Sequence, residues 1–515
     1  MATITATTEA GVPRTRSVDT PSGRLRGSSA GGIASFLGIR YGEAPVGARR
    51  FRPPVPAEPW SGERDALEFG ASAVQPKSAL AIFPGPRDED CLFLNVWAPD
   101  TGEPTLAAGD RRPVMVWFHG GGFTSGSSSI AWYDGARLAD RGVIVVTVNY
   151  RLGPLGFCHL EAIGGREWQG AANLGLADQA LALQWVRGHA ASFGGDPDNV
   201  TIFGESAGAM SVSSHLALPA SRGLFRRAIA QSGAARHIHT SEAGERVARA
   251  VLDAVGVSAP QGLLDVDAAV FAEIQADLVS RDRATLPLPF MPTIDGTTLP
   301  VAPEPALAEG IAAGIELICG TNSEEMRLFT LLARVSGGLD EERLVRRVTR
   351  TLQRARVEQS PEDVIRVYRR RLGADATADD VWVAISSDVV FRMPAIAMAE
   401  AHSAHGDTRM YLFTHASSQF GGLLGSAHAI EIPFVFDNLA RPGTEALLGD
   451  VTPGRSALAE AMADAWAGFA STGAPQGALG EWPCYDPVAR TTQVLDVDTL
   501  DAVDDPWADE RRVWE

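Results

Sequence analysis

The chain has 515 residues, of which 45% are hydrophobic and 21% charged, and its formal net charge is −18. This composition is typical of a soluble globular protein with a large core, and the negative charge disfavours nucleic acid or anionic membranes as partners. Because we find neither repeats nor a long low-complexity linker, we predict a single domain over residues 1–515.

The sequence also bears on membranes and cellular compartment. No apolar run approaches the ~18 residues that a membrane helix needs, and residues 1–16 lack the basic start and apolar core of a secretory signal. Four scattered cysteines show no metal-ligand spacing and favour a reducing compartment: Cys91, Cys158, Cys319 and Cys484. We therefore predict a cytoplasmic protein without metal, membrane or nucleic-acid partners; the oligomeric state stays open, and a monomer is compatible with the sequence.

Strand and helix patterns alternate along most of the chain. Apolar runs predict strands, and two of these runs are nearly continuous, as in sheets covered on both faces. The predicted strands are 33–41, 91–97, 113–119, 143–150, 200–203, 228–233, 315–320 and 410–414. Helical periodicity indicates helices at 174–189, from 207 onward and at 456–470, with further helices between 240 and 380. This alternation predicts an α/β fold with a large, mainly parallel sheet and helices on both faces.

A possible nucleophile lies in the segment N-V-T-I-F-G-E-S-A-G-A-M-S-V at 199–212. Strand formers precede G-x-S-x-G and helix formers follow it, which is the context of a nucleophile elbow. Gly204 and Gly208 remove side chains that would clash at so sharp a turn, so we predict that Ser206 is the nucleophile. The segment G-S-S-A-G at 27–31 matches the same pattern but lacks the apolar strand, and we interpret it as a hairpin turn.

A nucleophilic serine needs a base, and the base needs an acid that orients it. In α/β-hydrolase sheets these groups follow the serine in the order acid, histidine, each on a loop after a strand. Glu324 and Glu325 both follow strand 315–320, and the pattern does not choose between them. Among the seven histidines after Ser206, we favour His428, which lies beyond strand 410–414, over His415, which ends it.

The glycine run H-G-G-G-F at 119–123 follows the predicted strand 113–119. Successive glycines let backbone N–H groups approach a substrate oxygen without obstruction from side chains. The run therefore predicts an oxyanion hole, and together with the elbow it favours a serine hydrolase.

At this point the chain resembles the type-B carboxylesterase family, whose members include bacterial para-nitrobenzyl esterases, animal carboxylesterases and cholinesterases. The resemblance covers nearly the whole chain. Its segments include G-I-R-Y-G-E-A-P-V-G-A-R-R-F at 38–51, E-D-C-L-F-L-N-V-W at 89–97, N-Y-R-L-G-P-L-G-F at 149–157, G-T-N-S-E-E at 320–325 and H-A-I-E-I-P-F-V-F at 428–436. It implies the α/β-hydrolase fold and hydrolysis of small-molecule carboxylic esters through an acyl-enzyme, without a metal or cofactor.

The resemblance also implies roles for individual residues. The catalytic positions are Ser206 as nucleophile, Glu325 as acid and His428 as base. The oxyanion donors are the N–H groups of Gly121, Gly122 and Ala207. Glu205 and Ser232 are polar residues that support the site, Glu205 within the substrate pocket, and the scaffold ion pairs are Arg50 with Glu89 and Arg151 with Asp178.

The substrate is less well determined by the sequence. Phe290, Leu328 and Phe329 are candidates for an acyl pocket, although each also fits a plain core position. We expect short-chain or aryl esters; the alternatives are a specialised esterase for carbamates, bulky aryl esters or polyesters, and a non-catalytic cholinesterase-like binding protein. Met326 stands where the family usually has glycine, and Cys91 is the first cysteine in the chain, so the disulfide of secreted members cannot form.

Overall fold

The computed structural model of the chain describes residues 14–77, 83–102, 107–281, 288–335 and 337–515. Within these residues thirteen strands form one sheet. The strands are β1 Arg14–Thr20, β2 Gly23–Ala30, β3 Ile33–Arg40, β4 Glu63–Asp65, β5 Phe93–Pro99, β6 Arg112–Phe118, β7 Ile144–Val148, β8 Gly195–Glu205, β9 Arg227–Gln231, β10 Glu316–Asn322, β11 Thr408–Phe413, β12 Thr492–Leu495 and β13 Ala502–Val503.

The strand order is β1-β2-β3-β5-β7-β6-β8-β9-β10-β11-β12-β13, and β4 pairs with β2. Along this order the pairs from β1 to β7 are antiparallel, those from β7 to β12 are parallel, and β13 is antiparallel to β12; the short β4 is parallel to β2. Parallel strands all end at the same edge of a sheet, and ligands bind at that edge in open α/β folds. The loops after β6, β8, β10 and β11 therefore meet at one edge of this sheet.

Helices cover both faces of the sheet. They are α1 Ala136–Ala139, α2 Gly153–Phe157, α3 Glu161–Gly164, α4 Leu174–His189, α5 Ala207–His215, α6 Ser241–Val255, α7 Ala268–Arg281, α8 Pro303–Ala308, α9 Arg327–Val335, α10 Glu341–Ala355, α11 Pro361–Leu372, α12 Ala378–Ser387, α13 Met393–Ser403, α14 Ile432–Val435, α15 Thr444–Leu448, α16 Pro453–Thr472 and α17 Ala508–Arg511. Alternate residues of β6 join different cores, Val114 and Val116 one cluster and Met115 and Trp117 the other. The predicted α/β-hydrolase fold is confirmed.

Several element boundaries differ from the sequence predictions. The helix predicted at 174–189 is confirmed as α4, whereas the elbow strand extends from Gly195 rather than beginning at 200. The residues G-D-P-D-N at 195–199 are weak strand formers, but Gly195 pairs with Arg112 of β6, and this tertiary pairing overrides propensity. The edge strands β1, β12 and β13 were not predicted, and the single-domain organisation stays a prediction.

The segment from Ala378 to Ser403 is a continuous helical run of 26 residues: α12, a π-helical turn at Asp388–Arg392, and α13. An 18-residue window within it has a mean hydropathy of 1.4, which would suffice for a membrane span by length and composition alone. Asp388 and Arg392 within the turn interrupt the apolar pattern, so the segment contains no uninterrupted apolar run of membrane-spanning length. Because 72% of its apolar window is buried inside the protein, the run has the character of a core helix.

The scaffold contacts implied by the resemblance are formed. Arg50 lies 2.5 Å from Glu89, and Arg151 lies 2.7 Å from the fully buried Asp178. All four cysteines are free, and Cys484 is the exposed one. The cytoplasmic location stays a prediction.

Candidate active site

The elbow is a strained junction between β8, which ends at Glu205, and α5, which begins at Ala207. Between them Ser206 has φ 56° and ψ −124°, a conformation that non-glycine residues rarely adopt and that clusters at functional sites. The turn is held by its backbone, since Ser206 N–H donates to Gln231 O at 2.9 Å and Met210 N–H donates to Ser206 O at 2.9 Å. The sequence-predicted elbow is thus present, with its serine at the apex.

The two motif glycines are required by close packing. A Cβ on Gly208 would lie 1.9 Å from the carbonyl oxygen of Phe118, and a Cβ on Gly204 would lie 2.6 Å from the carbonyl carbon of Gly208. Real Cβ atoms do not approach backbone atoms so closely. Only glycine therefore allows the start of α5 to pack against the end of β6.

Glu325 and His428 form a buried pair next to this turn. Nδ1 of His428 donates to Oε2 of Glu325 at 2.6 Å, and the other carboxylate oxygen accepts from Asn322 N–H at 2.8 Å. Glu324 has different partners: its carboxylate accepts from Arg327 Nε at 2.6 Å and from Ser426 N–H at 2.9 Å. Of the two neighbouring glutamates, Glu325 is the one that contacts the imidazole.

His415, the alternative base, has other partners. Arg455 Nε donates to its Nε2 at 3.0 Å, and its Nδ1 lies 3.4 Å from a carboxylate oxygen of Asp496. Both ring nitrogens are therefore engaged in a separate cluster. A histidine held in this way is not available to exchange a proton with a serine.

Glu205 places a second carboxylate beside the imidazole. Its Oε1 lies 3.0 Å from Nε2 of His428, on the side of the ring opposite to the nitrogen that contacts Glu325. Burial by itself would lower the pKa of His428; the charges of Glu205 and Glu325 outweigh it and raise this pKa well above its ordinary value. Burial also raises the pKa of Glu205, an effect that His428 partly offsets.

A third buried carboxyl, Glu431, was not identified from the sequence. Its oxygens accept hydrogen bonds from Asn322 Nδ2 at 2.7 Å and from Gln231 Nε2 at 3.1 Å. Burial, followed by the charges of Glu205 and Glu325, raises the pKa of Glu431 to about 8. The one available signal was a glutamate inside the apolar run A-I-E-I-P-F at 429–434, which is unusual for a residue that is almost never fully buried.

The glycine loop after β6 lies against the elbow. A Cβ on Gly120 would approach the Cβ of Ser206 to 3.1 Å, and Gly121 and Gly122 have φ values of 111° and 62°. Among the described residues, the N–H groups of Gly121 and Gly122 have no protein acceptor. The N–H of Ala207, at the first position of α5, has no intrahelical partner. The loop and the helix start thus present three unpaired donors in the part of the chain that the structure describes.

Two phenylalanine rings border the imidazole. The predicted pocket residue Phe329 is 43% exposed, with its ring 5.2 Å from that of His428, and the buried Phe391, which was not predicted, lies 4.8 Å away. Leu328 is half-buried against the core, and Phe290 is fully buried within it. The membership of Leu328 and Phe290 in the pocket stays a prediction.

Comparison with known proteins identifies the family. The sequence profile described as "Carboxylesterase family" matches residues 14–511. The para-nitrobenzyl esterase of Bacillus subtilis (strain 168) is 38% identical over 505 residues, which cover 96% of this chain and 97% of that protein. The fumonisin B1 esterase of Sphingopyxis macrogoltabida is 34% identical over 483 residues, covering 91% and 84% of the respective chains. The crystal structure of a Geobacillus stearothermophilus carboxylesterase at pH 6.2 matches with a TM-score of 0.84 at 38% identity, covering 97% of this chain and 100% of that one. The chain therefore belongs to the carboxylesterase family.

Proposed function

We propose that the protein hydrolyses carboxylic esters through an acyl-enzyme on Ser206, with His428 as general base and Glu325 as the acid that orients it. The observation that carries this proposal is the 2.6 Å hydrogen bond from His428 Nδ1 to Glu325, formed beside the strained turn that holds Ser206. An oriented imidazole next to an elbow serine is the arrangement that acyl transfer requires.

The hydrogen bond to Glu325 holds the imidazole of His428 in the tautomer that carries its proton on Nδ1. Nε2 is then left to exchange a proton with Ser206 and with the leaving alcohol. His428 takes the proton of Ser206 as its oxygen attacks the ester carbonyl, and the alcohol then leaves with that proton. Water, activated in the same way, attacks the acyl-enzyme and releases the carboxylic acid. Every step uses side chains and backbone groups of this chain.

The oxyanion of each tetrahedral intermediate would be held by the N–H groups of Gly121, Gly122 and Ala207. What supports this assignment is that the three donors are unpaired within the described residues and that the glycine loop lies against Ser206. A single preorganised donor of this kind contributes on the order of 10²-fold in rate.

Glu205 contributes to the charge balance of the same step. Its carboxylate, 3.0 Å from Nε2 of His428, stabilises the imidazolium that forms when the base accepts the proton. The same interaction keeps the imidazole protonated to higher pH. We expect activity to fall as the pH drops through this raised pKa.

Aryl and short-chain esters are the substrates that the surroundings of His428 favour. The rings of Phe329 and Phe391 border the imidazole and offer an apolar wall to an aromatic or aliphatic group. The name of the Bacillus relative, para-nitrobenzyl esterase, refers to an ester whose alcohol carries an aromatic ring, which agrees with an aromatic group in the substrate. No observation on this chain favours carbamates or polyesters over these esters.

The first test of this function is covalent labelling. The protein would be exposed to a fluorophosphonate, its intact mass would be measured by mass spectrometry, and the labelled residue would be located by peptide mapping. Hydrolysis of para-nitrophenyl acetate and butyrate would be measured in parallel. We expect one label, confined to the peptide that contains Ser206, and turnover of both esters. Labelling of another serine would contradict the nucleophile assignment, and a folded protein with neither label nor turnover would contradict the function.

The acid and base assignments are tested by paired substitutions. We expect His428→Gln and Glu325→Gln each to lower kcat by at least about 10³-fold, because each removes a triad member. His415→Gln and Glu324→Gln are the matched controls and should stay within tenfold of the wild type. Equal losses within either pair, measured with para-nitrophenyl acetate, would overturn the corresponding assignment.

A further inference from the structure

The π-helical turn at Asp388–Arg392 contacts both the acid loop and the base. Just before it, Oγ of Ser387 accepts a hydrogen bond from Met326 N–H at 3.0 Å, and Met326 directly follows the acid Glu325. Within the turn, the ring of Phe391 lies 4.8 Å from that of His428. Met326 and Phe391 also share one small hydrophobic cluster. The turn and the residue before it therefore contact His428 on one side and Met326, the residue next to Glu325, on the other.

A π-helical turn is rare and less favoured than α-helix, and it often occurs at functional sites. It persists where surrounding contacts fix it. Here Nε of Arg392 donates to Oδ1 of Asp388 at 2.8 Å, four residues earlier, which spans the turn. Both side chains are 5% exposed. A buried ion pair is costly to form unless further hydrogen bonds satisfy its remaining atoms.

Those further hydrogen bonds reach the carboxyl-terminal end of the chain. The Tyr368 hydroxyl donates to Oδ2 of Asp388 at 2.6 Å, and Nε1 of Trp514 donates to that hydroxyl oxygen at 2.7 Å. Tyr368 is fully buried, and burial together with Asp388 raises its pKa, so the phenol keeps its proton as a donor. Trp514, Tyr368, Asp388 and Arg392 thus form one continuous chain of hydrogen bonds.

The same carboxyl-terminal segment contacts the π-helical turn at a second point. Nη1 of Arg392 donates to the carbonyl oxygen of Pro506 at 3.1 Å, and its guanidinium lies 5.1 Å from the centre of the Trp507 ring. Arg371 lies 4.0 Å from the same ring and pairs with Glu510 at 2.5 Å. Residues on both sides of α17 are therefore linked to the turn: Pro506 and Trp507 before the helix, and Trp514 after it.

We propose that residues 506–514 act as a carboxyl-terminal latch that fixes the π-helical turn, and that Trp514 and Tyr368 are positioning residues for Glu325 and His428. This inference rests on the proposed function, because it assigns these residues to the alignment of that acid and base. They touch no reacting atom. Their effect is transmitted through Asp388 to Ser387 and Phe391.

The test uses two variants that remove one hydrogen-bond donor each and keep an aromatic ring: Tyr368→Phe and Trp514→Phe. We expect each to lower kcat for para-nitrophenyl acetate by about 10-fold to 10²-fold, the cost of a small misplacement of catalytic groups, with a smaller change in KM. The double variant should lose no more than the larger single loss, since both residues act through one chain of contacts. Arg512→Gln, an exposed change directly after α17, is the matched control and should leave kcat unchanged.

A second readout separates positioning from simple loss of stability. The proton of the short His428–Glu325 hydrogen bond should give a downfield proton resonance that is absent from His428→Gln. We expect this resonance to shift or broaden in Tyr368→Phe and Trp514→Phe, and to remain in Arg512→Gln. Thermal melting of each variant shows whether it is folded, and Trp514→Phe, next to the end of the chain, decides the question if Tyr368→Phe does not fold.

The outcomes distinguish the latch from the function on which it rests. Unchanged kcat and an unchanged resonance in both folded variants, whatever the melting temperature, would overturn the latch. Losses in kcat that multiply in the double variant would overturn the single chain of contacts. A wild type without ester turnover would refute the proposed function, while the resonance would still show whether the terminal segment controls the Glu325–His428 pair.

Discussion

Two segments of this chain carry the pattern G-x-S-x-G, and the structure treats them differently. At 27–31 the serine lies in β2, which pairs antiparallel with β1 and β3 along this segment, and Ser29 Oγ donates to Asp100 at 2.6 Å. At 204–208 the serine forms a strained turn between a buried parallel strand and a helix. The prediction that residues 27–31 form a hairpin turn is only partly correct, because β2 continues through Ala30 and the turn to β3 is made by Gly31 and Gly32.

The difference lies in where each segment meets the sheet. The second segment ends a parallel strand at the edge where the loops after β6, β10 and β11 converge, so His428 lies against its Glu205 and the glycine loop lies against its serine. The first belongs to the antiparallel part, and a Cβ on Gly31 would meet nothing within 4 Å. The same five-residue pattern thus becomes a candidate nucleophile only where the topology supplies partners.

The largest expected effect comes from exchanging the two serines in turn. Ser206→Ala should lower kcat by about 10⁴-fold or more, because the nucleophile of the acyl-enzyme is lost. Ser29→Ala should keep the wild-type rate, since it removes a hydrogen bond far from the convergent loops. Rates with para-nitrophenyl acetate, measured on variants of verified secondary structure, decide this; substantial activity in Ser206→Ala would remove the distinction between the two segments.

Substitution of a glycine in each of the two segments should change the stability of the protein by different amounts. Gly208→Ala is expected to lower the free energy of unfolding by about 3 kcal/mol, because its Cβ would lie 1.9 Å from Phe118 O and the backbone would have to move. In Gly31→Ala the new Cβ contacts no neighbouring atom, and the only penalty is the positive φ of 59° at this position. We expect that penalty to lower the free energy of unfolding by about 1 kcal/mol. Urea denaturation of both variants measures the contrast. Equal losses would mean that the elbow tolerates a side chain after all.

The residue before each serine allows a test of electrostatics. Glu205 raises the pKa of His428, and His428 must be neutral to act as a base, so kcat/KM should fall as pH drops through that pKa. Glu205→Gln removes one of the two charges that raise this pKa, so the acidic limb of the pH–rate profile should move to lower pH. Ser28→Ala, at the equivalent place in the first segment, should leave the profile unchanged. A limb that stays in place in Glu205→Gln would contradict the assigned role of this carboxylate.

The smallest expected effect is the pH dependence of stability that arises from the buried carboxyl of Glu431. Because the pKa of Glu431 is about 8 in the folded protein and near its ordinary value when unfolded, the folded state holds an extra proton between these values. Its stabilising effect is complete at low pH and is lost as pH rises to about 8, with a slope of at most ~1.4 kcal/mol per pH unit. Glu431→Gln should flatten this dependence in urea denaturation between pH 5.5 and 7.5, whereas the exposed Glu445→Gln should not. An unaltered slope in Glu431→Gln would mean that another group binds the proton.

Much of the site's framework could be predicted from the sequence because it is local. The elbow, the glycine loop after β6 and helix α4 are each specified by a short run whose strand formers, glycines or periodicity determine its backbone. The buried parallel strands read as continuous apolar runs for the same reason. The pattern failed at G-D-P-D-N, where pairing between strands outweighed a poor intrinsic propensity.

The side-chain partners were decided at a longer range. Composition and spacing left Glu324 and Glu325 equivalent, and only the packed loops direct Glu325 to a histidine 103 residues away. The burial of Glu431 and the approach of Phe391 gave almost no sequence signal, since each depends on elements that meet only in the folded chain. The sequence by itself thus determined the backbone turns that hold the proposed nucleophile and the proposed oxyanion donors. The tertiary structure decided which charges lie against the imidazole, because such contacts join distant loops through packing rather than through local conformational preference.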